Sequence, residues 1–413
     1  MKIAIVGSGL AGVCIARALA NLAQNNNFSQ ISESEGNDFY NIKNITIFEK
    51  ANSIEHALKS SASGNPVGII HPIISNHNFS QEWTQNGILT TIRWIKELKI
   101  ENRFFNFCGV LHLPRSDKQS QKWLNRNKSQ DLQSELLTNN TLTGRCKLIN
   151  NETCALWSSQ CGWIKPTEFV KAALRDTKQI LGDKLKIIFN HNVTFDKLNT
   201  LHTQLPNLSV RPFDLVIIAA GFGSPDLIIN KTSLQKTCDK NLASKKPALE
   251  LVNGQITDIS FSGQNCRKLL KYNHILCKSG YVTPSINGHI FSGASYETVY
   301  KPHNISSKKY RIENIKRLTN FMTQLNFKSI LANHQIVDRT STRCVSKDKL
   351  PVIGLIQDKY PRIYALTALG SRGLSWAPLA AESLAKEVLS KKNTKKESFL
   401  NINLSPSRLR INN

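Results

Sequence analysis

The N-terminus leaves few folds open to this chain. Residues 2–6, KIAIV, form a short apolar run, and Gly7-Ser8-Gly9-Leu10-Ala11-Gly12 follows it directly. Such a run, closed by glycines, predicts a buried parallel strand, and the residues from Leu10 to about Ala23 predict a helix. At a strand-to-helix turn each glycine has its own task. Gly7 permits the tight turn, Gly9 lets backbone N–H groups approach a pyrophosphate, and Gly12 lets the helix pack close to the sheet. Leu10 and Ala11 put the first free N–H groups of the helix at the same point, where its N-terminus carries roughly half a positive charge. A second strand is predicted at Ile45–Phe48, ending in Glu49, a carboxylate suited to a ribose 2′-hydroxyl. Glu49 follows Gly12 by 49 − 12 = 37 positions, and the Asn- and Ser-rich stretch 21–44 accounts for the length. The pattern predicts a dinucleotide-binding βαβ unit. NAD and FAD sites share it, so it does not choose between them.

A chain of 413 residues exceeds what one core holds, roughly 250–300 residues, so two domains are expected. Further strands are predicted at 108–113, 214–221 (DLVIIAAG, ending in Gly221), 249–260 and within 273–295. Helices are predicted at about 79–98, 163–182 (opened by Pro166 and Thr167), 308–325 and 373–390. The stretch 115–150 is polar and reads as loop-rich. The expected class is α/β, or α+β overall: a Rossmann-like domain, discontinuous in sequence, beside a second domain of mixed sheet and helices. The expected division assigns 1–80, 155–228 and 335–390 to the first domain and 81–154 and 229–334 to the second. Residues 391–413 are a basic tail.

Lys and Arg number 54 against 29 Asp and Glu, a net charge of +25. A surface this basic attracts polyanions, nucleic acid first and an anionic membrane second, although a basic proteome yields such charge without either partner. The 9 cysteines show no CxxC pair, which argues against a zinc site and fits reduced thiols in a cytosol. Gly7, Gly9, Gly12 and Arg17 interrupt the N-terminal apolar run, so it is not a signal peptide. No apolar stretch reaches the roughly 20 residues that span a bilayer. A cytoplasmic protein with no metal and no membrane partner is expected.

Two later segments select the flavin. DLVIIAAGFGS (214–224) looks like the strand and glycine turn that complete FAD domains. In 365–385 the turn Gly370-Ser371-Arg372-Gly373 opens a helix at Leu374, and its N–H groups would steady negative charge on a reduced flavin ring. Together with the first fingerprint these segments resemble the D-amino-acid/glycine oxidase (DAO) superfamily. Three further segments resemble the FAD-dependent domain of the MnmC family, tRNA-modifying enzymes of the 5-methylaminomethyl-2-thiouridine pathway. They are SASGNPVGIIHPIIS (61–75), RTSTRCVSKDKLPVIG (339–354) and LGSRGLSWAPLAAE (369–382). The resemblance covers nearly the whole chain.

That resemblance implies FAD as cofactor, with Ser63, Gly64 and Asn65 along the isoalloxazine edge. It implies Arg343 and Arg372 as binders of a substrate carboxylate, with Arg339 a third candidate; Tyr281 and Tyr296 are candidates for the pocket lining. The implied reaction removes the carboxymethyl group of 5-carboxymethylaminomethyl-2-thiouridine at the wobble position, leaving 5-aminomethyl-2-thiouridine and glyoxylate. The anticodon arm would be gripped by basic clusters such as Lys245-Lys246, Lys308-Lys309 and Lys391–Lys396. In this family a methyltransferase domain usually precedes the flavin domain. Since this chain starts at the flavin strand, methylation of the product is expected from a separate enzyme. The family usually carries tyrosine where His71 stands. A free glycine or D-amino-acid oxidase is the alternative, disfavoured by the +25 charge; a tRNA-binding protein without activity is a third reading.

Overall fold

The computed structural model describes residues 1–29, 39–74, 78–125, 134–146, 152–200, 213–228, 248–261, 272–321, 325–333, 335–358, 361–391 and 400–409. Lys245-Lys246 and Lys392–Lys396 lie outside the described residues.

Six strands make the first sheet. Their order is Val352–Gln357, Arg362–Thr367, Leu215–Ile218, Lys2–Val6, Asn44–Phe48, Leu185–Ile188. Every neighbouring pair is parallel except the first, which is antiparallel. A parallel sheet needs cover on both faces, so its strands are apolar throughout. The central strand obeys this: Ile3 and Ile5 face one core, Ala4 and Val6 the other. The first core is completed by the helices Leu10–Ser29, Asn78–Glu97, Pro166–Leu181 and Gly373–Leu389. The first of these runs past the expected Ala23 into the Asn-rich stretch.

Helix Gly373–Leu389 contains Pro378, which has no N–H to give the Leu374 carbonyl. The Thr91 hydroxyl donates to that carbonyl instead, at 2.6 Å. Close helix contact makes this reach available: a Cβ at Gly87 would collide with the Ser375 carbonyl. The bond fixes the start of the C-terminal helix, where the predicted glycine turn lies.

The second sheet has nine strands. Eight run in the order Glu297–Val299, Leu249–Ser260, His289–Gly293, Tyr281–Val282, Ile275–Cys277, Val110–His112, Cys154–Ser158, Glu135–Thr138. The ninth, Ile336–Ser346, lies antiparallel to Leu249–Ser260 from Leu249↔Ser346 to Ile259↔Ile336. Its core includes Ile259, Val282 and Ile290 packed with Ile315 and Leu318 of the helix Lys308–Phe321.

Strand 336–346 and residues 155–158 of strand 154–158 thus belong to the second sheet, although the sequence division puts them with the first. Neither carries a local mark of its partner, because pairing partners are chosen over long range. The segment 115–150 is also more regular than its polarity suggests. It holds the helices Asp117–Leu124 and Asn139–Arg145 and the strand Glu135–Thr138. Few apolar side chains anchor them, chiefly Trp123, Leu137 and Leu142, too few for a periodicity to show.

Candidate active site

Val6, Phe48 and Ile218 end three adjacent strands in register, so Gly7, Glu49 and Ala219 emerge side by side at the carboxyl edge of the first sheet. Open α/β sheets bind ligands at this edge. A cavity of about 430 Å³ begins there and is walled on its far side by the second sheet, through Ile256, Tyr281 and Arg343 among others.

The cradle end has the shape a dinucleotide requires. Gly7 has φ +103°, and a Cβ on it would approach the Ala219 carbonyl to 2.6 Å. A Cβ on Gly12 would collide with the Gly7 carbonyl, so only glycine lets the helix start so close to the turn. The buried Glu49 carboxylate accepts from Ser8 N (2.9 Å), Ser8 Oγ (2.7 Å) and Ala51 N (2.9 Å). A carboxylate has about four acceptor positions, so one stays open towards the cavity, and the Ser8 hydroxyl can yield another. These residues fit a ribose and pyrophosphate.

The structure brings the other sequence candidates to the same cavity, except that Gly12 and Gly64 pack behind its wall and Arg339 lies outside it. Leu10, Ala11, Ser63, Asn65, Gly221 and the turn 370–374 all line it. Gly370 has φ +55°, and its N–H donates to the Cys344 carbonyl at 3.1 Å, which ties the turn to the second sheet. Ser63 Oγ accepts from Leu10 N at 3.0 Å, which places it over the helix N-terminus, at the pyrophosphate end of the cradle. Gly64 packs inward, where a Cβ would collide with the Leu58 carbonyl. Asn65 Oδ1 accepts from Arg339 Nε (3.2 Å) and Ser341 Oγ (3.0 Å).

Arg339 does not line the cavity. Its Nη2 donates to the carbonyls of Ser61 (2.8 Å), Lys59 (3.0 Å) and Leu58 (3.4 Å), clasping the end of the short helix Ile54–Lys59. Four residues on, Arg343 is buried at 8% exposure and has no hydrogen-bond or ion-pair partner among the described residues. Space for its guanidinium comes from Gly254 on the neighbouring strand, where a Cβ would strike it. Burial pushes its pKa down from the usual arginine value. Arg372 is half-buried; its Nη1 donates to the His71 carbonyl at 3.3 Å, and burial lowers its pKa to about 10.

Sequence reasoning missed His112 and Arg115. The His71 and His112 rings stand 5.1 Å apart in the same wall. Burial first, then the Arg372 and Arg115 charges, hold His112 down at about 3, and His71 is lowered well below its ordinary value for the same reasons. Both imidazoles are neutral at physiological pH, and His112 Nε2 has no partner among the described residues. Among the described lining residues Glu49 is the only carboxylate, so the end away from it holds cations and neutral rings. No group of metal-ligating side chains is found among the described residues, and no helix among them is long and apolar enough to cross a membrane. None of the 7 described cysteines forms a disulfide with another of them.

Fold and cavity together define a flavin enzyme, and comparison with known proteins agrees. The family model for FAD dependent oxidoreductases (DAO) matches residues 2–387, and the chain belongs to that family. FAD is its cofactor. A more particular likeness is to the tRNA 5-methylaminomethyl-2-thiouridine biosynthesis bifunctional protein MnmC of Shewanella pealeana, with 27% identity over 431 aligned residues. The match covers 94% of this chain and 59% of that protein, so the chain spans about three-fifths of its relative's length. Among solved structures, L-proline dehydrogenase from P. horikoshii has a TM-score of 0.69 at 16% identity, over 99% of this chain and 97% of that one. Iminodiacetate oxidase from Chelativorans sp. BNC1 has a TM-score of 0.67 at 15% identity, over 98% of both chains. These two show the fold.

Proposed function

We propose that this chain is an FAD-dependent, tRNA-modifying oxidoreductase acting on a CH–NH bond. Its substrate is 5-carboxymethylaminomethyl-2-thiouridine at the wobble position, and its products are 5-aminomethyl-2-thiouridine and glyoxylate. The observation that carries this reading is Arg343: a buried guanidinium without a protein partner among the described residues, in the cavity that continues from the dinucleotide cradle. A buried charge without a counterion is costly, and a substrate carboxylate is the natural answer to it. Arg372 supplies a second cation in the same wall. The likeness to MnmC and the +25 charge direct the reading to tRNA in preference to a free amino acid.

In chemical terms the modified side chain is an N-substituted glycine. FAD, when bound, supplies a two-electron acceptor for hydride from the glycine-derived carbon. Arg343 and Arg372 hold the carboxylate and so orient that carbon. The same cations, with Arg115, disfavour a second positive charge, so the secondary amine binds as its free base. His71 and His112 are neutral and leave that balance unchanged. Loss of hydride from carbon and of a proton from nitrogen leaves an imine. Water then adds to it and releases glyoxylate and the primary amine. The reading places the enzyme in the cytoplasm with the anticodon arm as partner.

Anaerobic mixing tests the reading. Carboxymethylaminomethyl-bearing tRNA is expected to bleach the flavin band, while free glycine leaves it unchanged. Bleaching by glycine would favour a free amino-acid oxidase. No bleaching by either would end the proposal.

A further inference from the structure

An exposed aromatic pair brackets an edge strand whose first flanking residue lines the cavity. The edge strand Glu297–Val299 of the second sheet lies between Tyr296, 57% exposed, and Tyr300, fully exposed. Residues 296 and 300 share the same side-chain parity about the strand, so both rings present to one face about 13 Å apart, a reach longer than the spacing of neighbouring stacked bases. Tyr296 is also a wall residue of the cavity.

The register shows how Tyr296 relates to Arg343. Glu297 pairs with Asn253, and the Ser295 N–H donates to the Gln255 carbonyl at 3.2 Å, so Tyr296 stands beside Gly254. Gly254 is the position over which the Arg343 guanidinium packs. Adjacent strands are about 4.8 Å apart. In the proposed substrate, four bonds separate the carboxylate carbon from the pyrimidine ring, a reach of about 5 Å at ordinary bond lengths. A carboxylate on Arg343 therefore brings the attached ring to the Tyr296 side chain.

We infer that Tyr296 is the stacking platform for the extruded wobble pyrimidine, and that Tyr300 stacks another base of the same single-stranded RNA loop. Lysines outnumber acids along the segment that follows the pair, although Glu250 lies near Tyr296. Lys301 adjoins Tyr300, and Lys308 and Lys309 are exposed at the start of the following helix. The strand's one acid, Glu297, is engaged by the Tyr310 hydroxyl. Aromatic rings interleaved with lysines are how proteins hold single-stranded nucleic acid. The inference rests on the proposed function for the identity of the loop.

Binding of a fluorescein-labelled anticodon stem-loop RNA to the FAD-loaded protein tests it, read by anisotropy and independent of turnover. Tyr296→Ala and Tyr300→Ala are each expected to weaken binding by about tenfold, within the range for loss of one stacked base. Tyr296→Phe and Tyr300→Phe should restore it, since stacking needs the ring and not the hydroxyl. Both tyrosines are largely solvent-exposed, so the flavin spectrum and thermal midpoint should match the parent in all four variants. Affinities of both alanine variants within twofold of the parent, or a parent that binds no stem-loop at all, would overturn the inference. A parent that binds the loop through both tyrosines, yet whose flavin stays oxidised with the modified uridine present, would uphold this surface and remove the reaction proposed above.

Discussion

Arg343→Met separates a residue kept for function from one kept for the fold, because the two roles predict changes of opposite sign. Arg343 is 8% exposed and has no hydrogen-bond or ion-pair partner among the described residues, and burial already lowers its pKa. The folded state therefore bears a desolvation cost that nothing in the described structure offsets. Methionine, unbranched and flexible, covers the path of the arginine stem without charge, though it ends short of the guanidinium position beside Gly254. Replacing buried charge by apolar volume commonly stabilises by about 1–4 kcal/mol, and a gain of about 1–3 kcal/mol is expected here. The same change leaves a substrate carboxylate short of its guanidinium. Losing one partner of such a buried pair costs about 2–5 kcal/mol, or roughly thirtyfold to several thousandfold in kcat/KM. Urea unfolding at fixed excess FAD gives the first quantity, and turnover of the carboxymethylaminomethyl nucleoside gives the second. A variant less stable than the parent would refute the reasoning and make Arg343 a structural residue.

Arg339→Met, four positions earlier, should do the reverse: loss of the clasp on the Leu58, Lys59 and Ser61 carbonyls is expected to cost about 2 kcal/mol of stability by urea unfolding. Gly12→Val should abolish FAD uptake, followed by flavin absorbance of the purified protein, since its Cβ would collide with the Gly7 carbonyl. For His112 the folded pKa of about 3 lies below the ordinary 6.5, so the unfolded chain takes up the proton first. The stability this neutral ring carries is complete above about pH 6.5 and declines as pH falls towards 3, by about 2 kcal/mol at pH 5. His112→Gln should accordingly flatten the loss of unfolding free energy between pH 8 and pH 5; equal slopes for variant and parent would contradict the assignment.

Much of the cofactor end was legible because its determinants are local. Gly7, Gly9 and Gly12 sit within six residues, and the backbone shape they permit depends on little beyond themselves. The turn at Gly370–Gly373 is local in the same sense. The substrate end was legible only in outline. Arg339 and Arg343 occupy one strand with the same side-chain parity, and nothing in their neighbourhood distinguishes them. What distinguishes them is the company that packing brings: carbonyls of residues 58–61 for one, the bare backbone of Gly254 for the other. His112 and Arg115 gave no signal because a histidine ending a short strand, and an arginine in a polar stretch, are commonplace until a cavity forms around them.

By itself the sequence determined that a parallel sheet would carry a nucleotide at its carboxyl edge, since short-range sterics and hydrophobic pattern suffice for that. Tertiary structure alone decided which arginine lacks a counterion, which strands 336–346 and 154–158 join, and that Tyr296 stands beside the Arg343 guanidinium. Such facts depend on which distant groups come within a few ångströms, and burial, not residue type, sets the cost of leaving a charge unanswered.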